Sequence, residues 1–288
     1  MNVLVTGASG FVGAQVCRAL LERGHRVVPV SRRHGLDLMD FRTPEAWKPL
    51  VSGVDAIVNA VGIIGETRQQ SFNVLHREAP IALFRAAMAA GVRRVVQLSA
   101  LGADSSAFSQ FHRTRRDADD CLRNRDLCGF VLRPSMIFGS GGTSAEVLLR
   151  MAALARIPVL GEGAQPVQPV HIGDVVDVVL RCVCGDEAGR TLDLVGPQTM
   201  RFADWMRRLR QAQRLPPAEL LRVPRALAYA LTTAAGAWSP LARLENLRML
   251  DARTLGDPEE FTAFMGHPPR ALTVELIAQA LFPNRREP

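Results

Sequence analysis

The chain has 288 residues, one lysine and one tyrosine. Lys48 and Tyr229 therefore bound any chemistry that needs an ammonium or a phenol, and the positive charge (net +7) is carried almost wholly by arginine, which is too basic to act as a proton acceptor. Cysteine is scarce and odd in number (17, 121, 128, 182, 184), which predicts reduced thiols rather than a disulfide framework. Cys182 and Cys184 have no His/Cys partners at ligand spacing, so no metal site is expected. Long apolar runs are missing: the stretch from Ala226 to Leu241 falls short of the ~20 residues a membrane span needs. Met1-Asn2 leads straight into a core strand, so no signal peptide is expected. These absences predict a cytoplasmic protein, at most peripheral to a membrane through weak attraction of its arginines to anionic lipid. The arginines are spread along the chain and not interleaved with aromatics, so a solvated surface is expected rather than a nucleic-acid interface.

What is present is a strand, a glycine turn and a helix: Val3-Leu-Val-Thr-Gly7-Ala-Ser9-Gly10-Phe11-Val12-Gly13, then Ala14 to Arg23. Gly7 lets the chain turn sharply, Gly10 lets backbone N–H groups approach a phosphate, and Gly13 lets the helix pack close to the strand. The free N–H groups and positive dipole end of that helix favour a pyrophosphate. A second strand, Arg26 to Val30, supplies the context the motif requires. It ends in Ser31-Arg32-Arg33, where an NAD site carries an acidic residue. A guanidinium pairs bidentately with a 2′-phosphate, so NADP is expected in preference to NAD. Asp37, before Leu38, is placed to accept from the adenine amino group or to form a plain turn.

Apolar strands recur at 55–59, 94–98 and 129–132, alternating with helices at 44–52, 69–90 (ended by Gly91) and 108–124. Nearly all-apolar strands between helices mean a parallel sheet covered on both faces, an α/β doubly wound Rossmann architecture. Ala60-Val61-Gly62 offers small residues on which ribose and pyrophosphate can lie. After Gly139 the character changes, giving a dinucleotide-binding domain over 1–139 and a smaller cap region over 140–288, interleaved with the core. That region is expected to hold helices at 144–155, 174–184, 201–213, 224–236, 240–250, 257–265 and 271–281, with strands at 158–160, 167–170 and 191–195.

These segments resemble the short-chain dehydrogenase/reductase superfamily, in its extended or atypical branch. The resemblance rests on Thr6-Gly-Ala-Ser-Gly-Phe-Val-Gly13, Asp37-Leu38, Asn59-Ala-Val-Gly62, Leu98-Ser99-Ala100, Leu132-Arg-Pro-Ser-Met-Ile-Phe-Gly139 and Pro169-Val-His-Ile-Gly-Asp-Val175. Ser99-Ala-Leu-Gly-Ala-Asp104 is similar to the part of the branch that holds the nucleotide-binding accessory subunit of respiratory complex I and epimerase-like bacterial proteins. The resemblance extends the dinucleotide contacts to Phe11, Val12, Leu98, Arg115, Pro134 and Ile137, and implies a monomer or a homodimer paired through helices 69–90 and 108–124. It also implies a catalytic serine, tyrosine and lysine. Ser99 stands at the serine position, but Phe111 stands at the tyrosine and Arg115 at the lysine. A phenyl ring carries no titratable proton. A nucleotide-binding protein without the proton-transfer pair is therefore expected, with a regulatory or accessory role toward a small-molecule or protein partner. The alternative is an oxidoreductase, epimerase or dehydratase with a substitute proton donor, for which His171 is a candidate. His112 is expected on a different helix face from Phe111.

Overall fold

Short runs of valine, isoleucine and leucine pair edge to edge because each buries both of its faces. Asn2–Thr6 (β1), Arg26–Val30 (β2), Ala56–Asn59 (β3), Arg94–Leu98 (β4), Cys128–Pro134 (β5) and Thr191–Leu194 (β6) form one six-stranded sheet. All its pairs are parallel and its order is β2-β1-β3-β4-β5-β6. Helices Phe11–Glu22 (α1), Pro44–Val51 (α2), Ala79–Ala89 (α3), Gln110–Arg123 (α4) and Ile172–Cys184 (α5) connect or flank the strands. This is the Rossmann-type doubly wound sheet that the strand pattern predicts. The computed structural model describes residues 1–92, 94–124, 127–235, 244–252 and 254–283.

The chain divides into two units. One comprises Met1–Pro134 with Gly173–Leu194, and the other Ser135–Ile172 with Val195–Pro288. In the first, Leu4, Ile57, Val95 and Val131 of the sheet pack with Trp47, Leu83, Phe84 and Leu122 of α2, α3 and α4. Val3, Val5, Val58, Val96 and Phe130, which alternate with them, are equally buried, as are Val16 and Leu20 of α1. Each large apolar side chain removed from water stabilises the fold by roughly 1.5–3 kcal/mol. In the second unit, Phe138, Phe202, Trp205, Met206, Leu209 and Ile277 form a separate core. The helices of this unit are Thr143–Ala153, Phe202–Ala212, Arg225–Ala235, Leu244–Asp251, Pro258–Met265 and Val274–Leu281. Residue 236 of the predicted 224–236 helix and residues 240–243 of the predicted 240–250 helix lie outside the described residues. No helix among the described residues is long and apolar enough to cross a membrane.

Three local predictions differ from the structure. The single helix expected over 69–90 is interrupted: Thr67 and Gln70 pair across a turn, a π-helical turn runs over Asn73–Glu78, and α-helix proper begins at Ala79. Pro80 accounts for this, because it has no N–H to return to His76 and its ring displaces that carbonyl, so the turn before it widens. The strand expected over 167–170 is two short ones, Pro166–Val167 and Val170–His171, since Pro169 cannot donate to a ladder. Glu219–Val223 pairs parallel with Arg156–Leu160, a strand that its mixed, largely exposed sequence does not announce.

Candidate functional site

The turn after β1 is shaped by contacts that only glycine permits. Gly7 lies in the left-handed region (φ 65°), and a Cβ there would stand 2.7 Å from the Ala60 carbonyl oxygen. A Cβ on Gly13 would come within 2.2 Å of the Gly7 carbonyl oxygen. At Gly10 an added Cβ meets only that same oxygen, at 3.1 Å. Gly10 caps α1, its carbonyl accepting from the Ala14 N–H at 2.9 Å, and no side chain caps the helix start. The first N–H groups of α1, from Phe11, Val12 and Gly13, thus have no intrahelical partner.

Beside this turn is a cavity of about 140 Å³. Gly7, Ser9 and Gly10 form one wall, Ser31 and Arg32 after β2 a second, Asp37 and Leu38 a third, and Ala60, Val61 and Gly62 after β3 a fourth. These are ten of the residues singled out from sequence. The cleft lies off the carboxyl ends of β1 and β3, between which the connections reverse direction across the sheet; ligands of open α/β folds bind at such a switch point. Asp37 Oδ1 accepts from the Met39 N–H at 3.1 Å, so the residue is a turn former as well as a lining group. Ser31 is hydrogen-bonded to His34 Nδ1 at 2.8 Å. Phe11, Val12, Gly13, Arg33, Leu98, Arg115, Pro134 and Ile137 do not line this cavity. Pro134 ends β5, and Ile137 belongs to the second unit, in a two-residue strand paired with Val170–His171. The cavity also takes in Ile63, Gln70 and Leu75, which carry no recognisable motif.

A second cluster is built on α4, where Phe111, Arg115 and Asp119 recur every four residues along one face. Arg115 is buried and its Nη1 donates to the carbonyls of Leu98 (2.7 Å) and Ser99 (3.2 Å). Its guanidinium carbon lies 4.8 Å from the Phe111 ring centroid. Ser99 Oγ donates to Asp119 Oδ2. Burial pushes the Asp119 carboxyl up to about 6, against the Ser99 hydrogen bond and the charge of Arg115. Burial likewise lowers the Arg115 guanidinium to about 10, against the attraction of Asp119. A buried polar chain leads in from the sheet: Thr6 Oγ1 donates to Asn59 Oδ1, and Asn59 Nδ2 to Gln97 Oε1 at 2.6 Å.

His76, which sequence patterning did not mark, completes the cluster. Its Nε2 accepts from the Ile63 N–H at 3.1 Å, and its ring meets Phe111 edge-on, with centroids 5.4 Å apart. Burial, with Arg115 beside it, holds this imidazole neutral, well below its usual range. His112 does not turn wholly away from Phe111: the two rings meet edge-on at 5.2 Å, and His112 is hydrogen-bonded to Ser109, the cap of α4, at 2.9 Å. His171 is half-buried in the second unit against Phe138, with centroids 5.3 Å apart. Tyr229 is in that unit too, its hydroxyl donating to Asp251 at 3.1 Å. No disulfide joins any of the five cysteines, and among the described residues no three His, Cys, Asp or Glu side chains group as metal ligands.

The chain is 30% identical over 184 residues to the ceramide reductase of Caulobacter vibrioides, covering 60% of this chain and 57% of that one. It is 28% identical over 217 residues to the mitochondrial NADH dehydrogenase [ubiquinone] 1 alpha subcomplex subunit 9 of Arabidopsis thaliana, covering 67% of this chain and 53% of the relative. The matches thus span little more than half the length of these two relatives. The fold superposes on MoeE5, solved in complex with UDP-glucuronic acid and NAD, with a TM-score of 0.73, 20% identity, and 98% of this chain and 100% of that one covered. Residues 3–193 match the model of the NAD dependent epimerase/dehydratase family, and the chain belongs to that family.

Proposed function

We propose that this chain binds a nicotinamide dinucleotide in the cleft between β1 and β3, prefers NADP(H), and acts as a regulatory or accessory nucleotide-binding protein rather than as a catalyst. The observation that carries the reading is the pair on α4. Phe111 and Arg115 stand where the family resemblance puts a tyrosine and a lysine, and the only tyrosine lies in the other unit. Binding follows from the chain's own groups. The uncapped start of α1 takes the pyrophosphate, Ala60–Gly62 leaves room for ribose, Asp37 and Leu38 face the adenosine, and Arg32 meets the 2′-phosphate. A bound nicotinamide supplies hydride transfer, but Phe111 has no proton to give, and Arg115 directs Nη1 inward to two backbone carbonyls. The accessory role agrees with a relative named as a subunit of NADH dehydrogenase.

One observation favours a second reading, a reductase with a substitute acid. Ser99 is hydrogen-bonded to a buried carboxyl raised to about 6; once protonated, that carboxyl donates to Ser99 Oγ and frees the serine O–H to turn outward, so the couple can pass a proton through the serine. The two readings separate by titrating the purified protein with NADPH and NADH and then assaying turnover with carbonyl acceptors. The accessory reading expects binding, with turnover down by about 10²–10⁴-fold, the usual contribution of acid–base assistance. Brisk NADPH-dependent reduction of a carbonyl compound that Asp119→Asn abolishes would establish the second reading instead.

A further inference from the structure

The positions occupied by Phe111 and Arg115 have a use that the loss of proton chemistry does not explain. We propose that Arg115 is a positioning residue for the dinucleotide: with Phe111 and His76 it clamps the Ala60–Ile63 wall of the cleft from behind. The inference rests on the dinucleotide reading and assigns the α4 cluster a role within it.

Ala60, Val61, Gly62 and Ile63 all line the cleft, and three bonds or contacts hold them from other elements. The Ala60 N–H donates to the Thr6 carbonyl at 3.2 Å, continuing the strand pairing. The Ile63 N–H donates to His76 Nε2 at 3.1 Å. Between them, Gly62 rests on the Arg115 guanidinium so closely that a Cβ would come 2.3 Å from Nη2, and the three nearest atoms it would meet all belong to Arg115. Gly62 is not in a left-handed conformation, so the guanidinium, not the backbone, is what its missing side chain makes room for.

The other end of the clamp is equally fixed. Nη1 is held by the last carbonyl of β4 and the one after it, and the Phe111 ring lies against the guanidinium carbon. His76 then packs edge-on against Phe111, so the two supports of the wall share one aromatic ring. A planar fork can bond two carbonyls, stack on a ring and fill the space under a glycine at once. An ammonium on a flexible stem is a point charge and does only one of these. Arginine at 115 and phenylalanine at 111 therefore work as one unit, and the wall they support is where ribose and pyrophosphate must lie.

The test is a double-mutant cycle on the intact chain, with Kd for NADPH and NADH measured by calorimetry and melting temperature measured without nucleotide. Arg115→Ala and Gly62→Ala should each weaken both nucleotides about tenfold, roughly 1.4 kcal/mol, and equally, because the wall does not read the 2′-phosphate. The double variant should be no weaker than Arg115→Ala alone, since the added methyl then has no guanidinium to meet. Should Arg115→Ala not fold, Arg115→Lys takes its place in the cycle with the same expectation, its flexible end swinging clear of the methyl. Losses that multiply would overturn the clamp, as would unchanged affinities in variants whose melting temperatures fall, for then Arg115 is only a core residue. A wild-type chain that binds neither nucleotide would overturn the dinucleotide reading itself, a result distinct from either of these.

Discussion

A guanidinium distinguishes NADPH from NADH only if it reaches the ribose that carries the extra phosphate. Arg32 and Arg33 leave the end of β2 together, but only Arg32 lines the cleft, beside Ser31 and across from the glycine turn. Arg32→Ala should therefore weaken NADPH about ten- to a hundredfold and leave NADH nearly unchanged, since a charge-assisted hydrogen bond is worth roughly 1.5–3 kcal/mol. Arg33→Ala should alter neither. Parallel titrations with the two nucleotides check this, and equal losses for both at Arg32 would show that it does not read the phosphate. The glycines, Ser31, Arg32, Asp37 and Ala60–Gly62 were legible because each follows a strand end at fixed local spacing, and sequence order alone puts strand ends side by side in a parallel sheet. His76 and Gln70 were not. His76 reaches Ile63 from a widened turn, and neither a 3.6-residue nor a two-residue period marks a residue placed that way.

At the scale of elements, the strand–turn–helix unit separates glycines that the fold needs from one that a ligand needs. Gly13→Ala drives a methyl to 2.2 Å from the Gly7 carbonyl oxygen, which unwinding of the turn must relieve, whereas Gly10→Ala brings one to 3.1 Å and asks that oxygen to give by only a few tenths of an ångström. Overpacking of the first kind costs typically 1–3 kcal/mol. Thermal melting should accordingly show Gly13→Ala destabilised by several degrees and Gly10→Ala clearly less, while calorimetry shows nucleotide binding weakened at Gly10 in a variant that remains folded. If Gly10→Ala binds normally, the phosphates do not approach the turn there. The helix over 69–90 shows the opposite limit of sequence patterning. The stretch reads as one long helix ended by Gly91, yet Pro80 widens the turn before it and moves the start of regular helix to Ala79. The resulting shift is what brings His76 under Ile63.

For the whole molecule, the two cores differ in how far a pattern of residues could announce them. The first unit grows from consecutive strand–helix repeats, and each strand finds its neighbour by the parallel rule. The second joins two-residue strands and helices far apart in sequence, with a parallel pair between Arg156–Leu160 and Glu219–Val223 that no local signal predicts. The buried polar chain from Thr6 through Asn59 to Gln97 ties β1, β3 and β4 of the first unit, and Gln97 and Ser99 in turn hydrogen-bond the Asp119 carboxyl of α4, so the titration of Asp119 should be visible in global stability. An aspartate in the unfolded chain titrates near ~3.9, while folding raises Asp119 to about 6, chiefly by burial. The folded state thus favours the protonated carboxyl. Its contribution is fully present below about pH 4 and is lost as pH rises through about 6. Asp119→Asn keeps the shape of the neutral acid but cannot ionise. In urea unfolding at a series of pH values, the stability of Asp119→Asn minus that of wild type should climb between about pH 4 and 6 and then level off. Subtracting the two curves removes the titration of every group that does not interact with Asp119, and its partners Arg115 and Arg123 stay charged across this interval. A difference that stays flat between about pH 4 and 6 and falls only below about pH 4 would mean that the Ser99 hydrogen bond and Arg115 outweigh burial, and that the carboxylate is ionised throughout that interval. Asp119 would then be a fixed charge opposite Arg115, with no proton to pass to Ser99 near neutral pH.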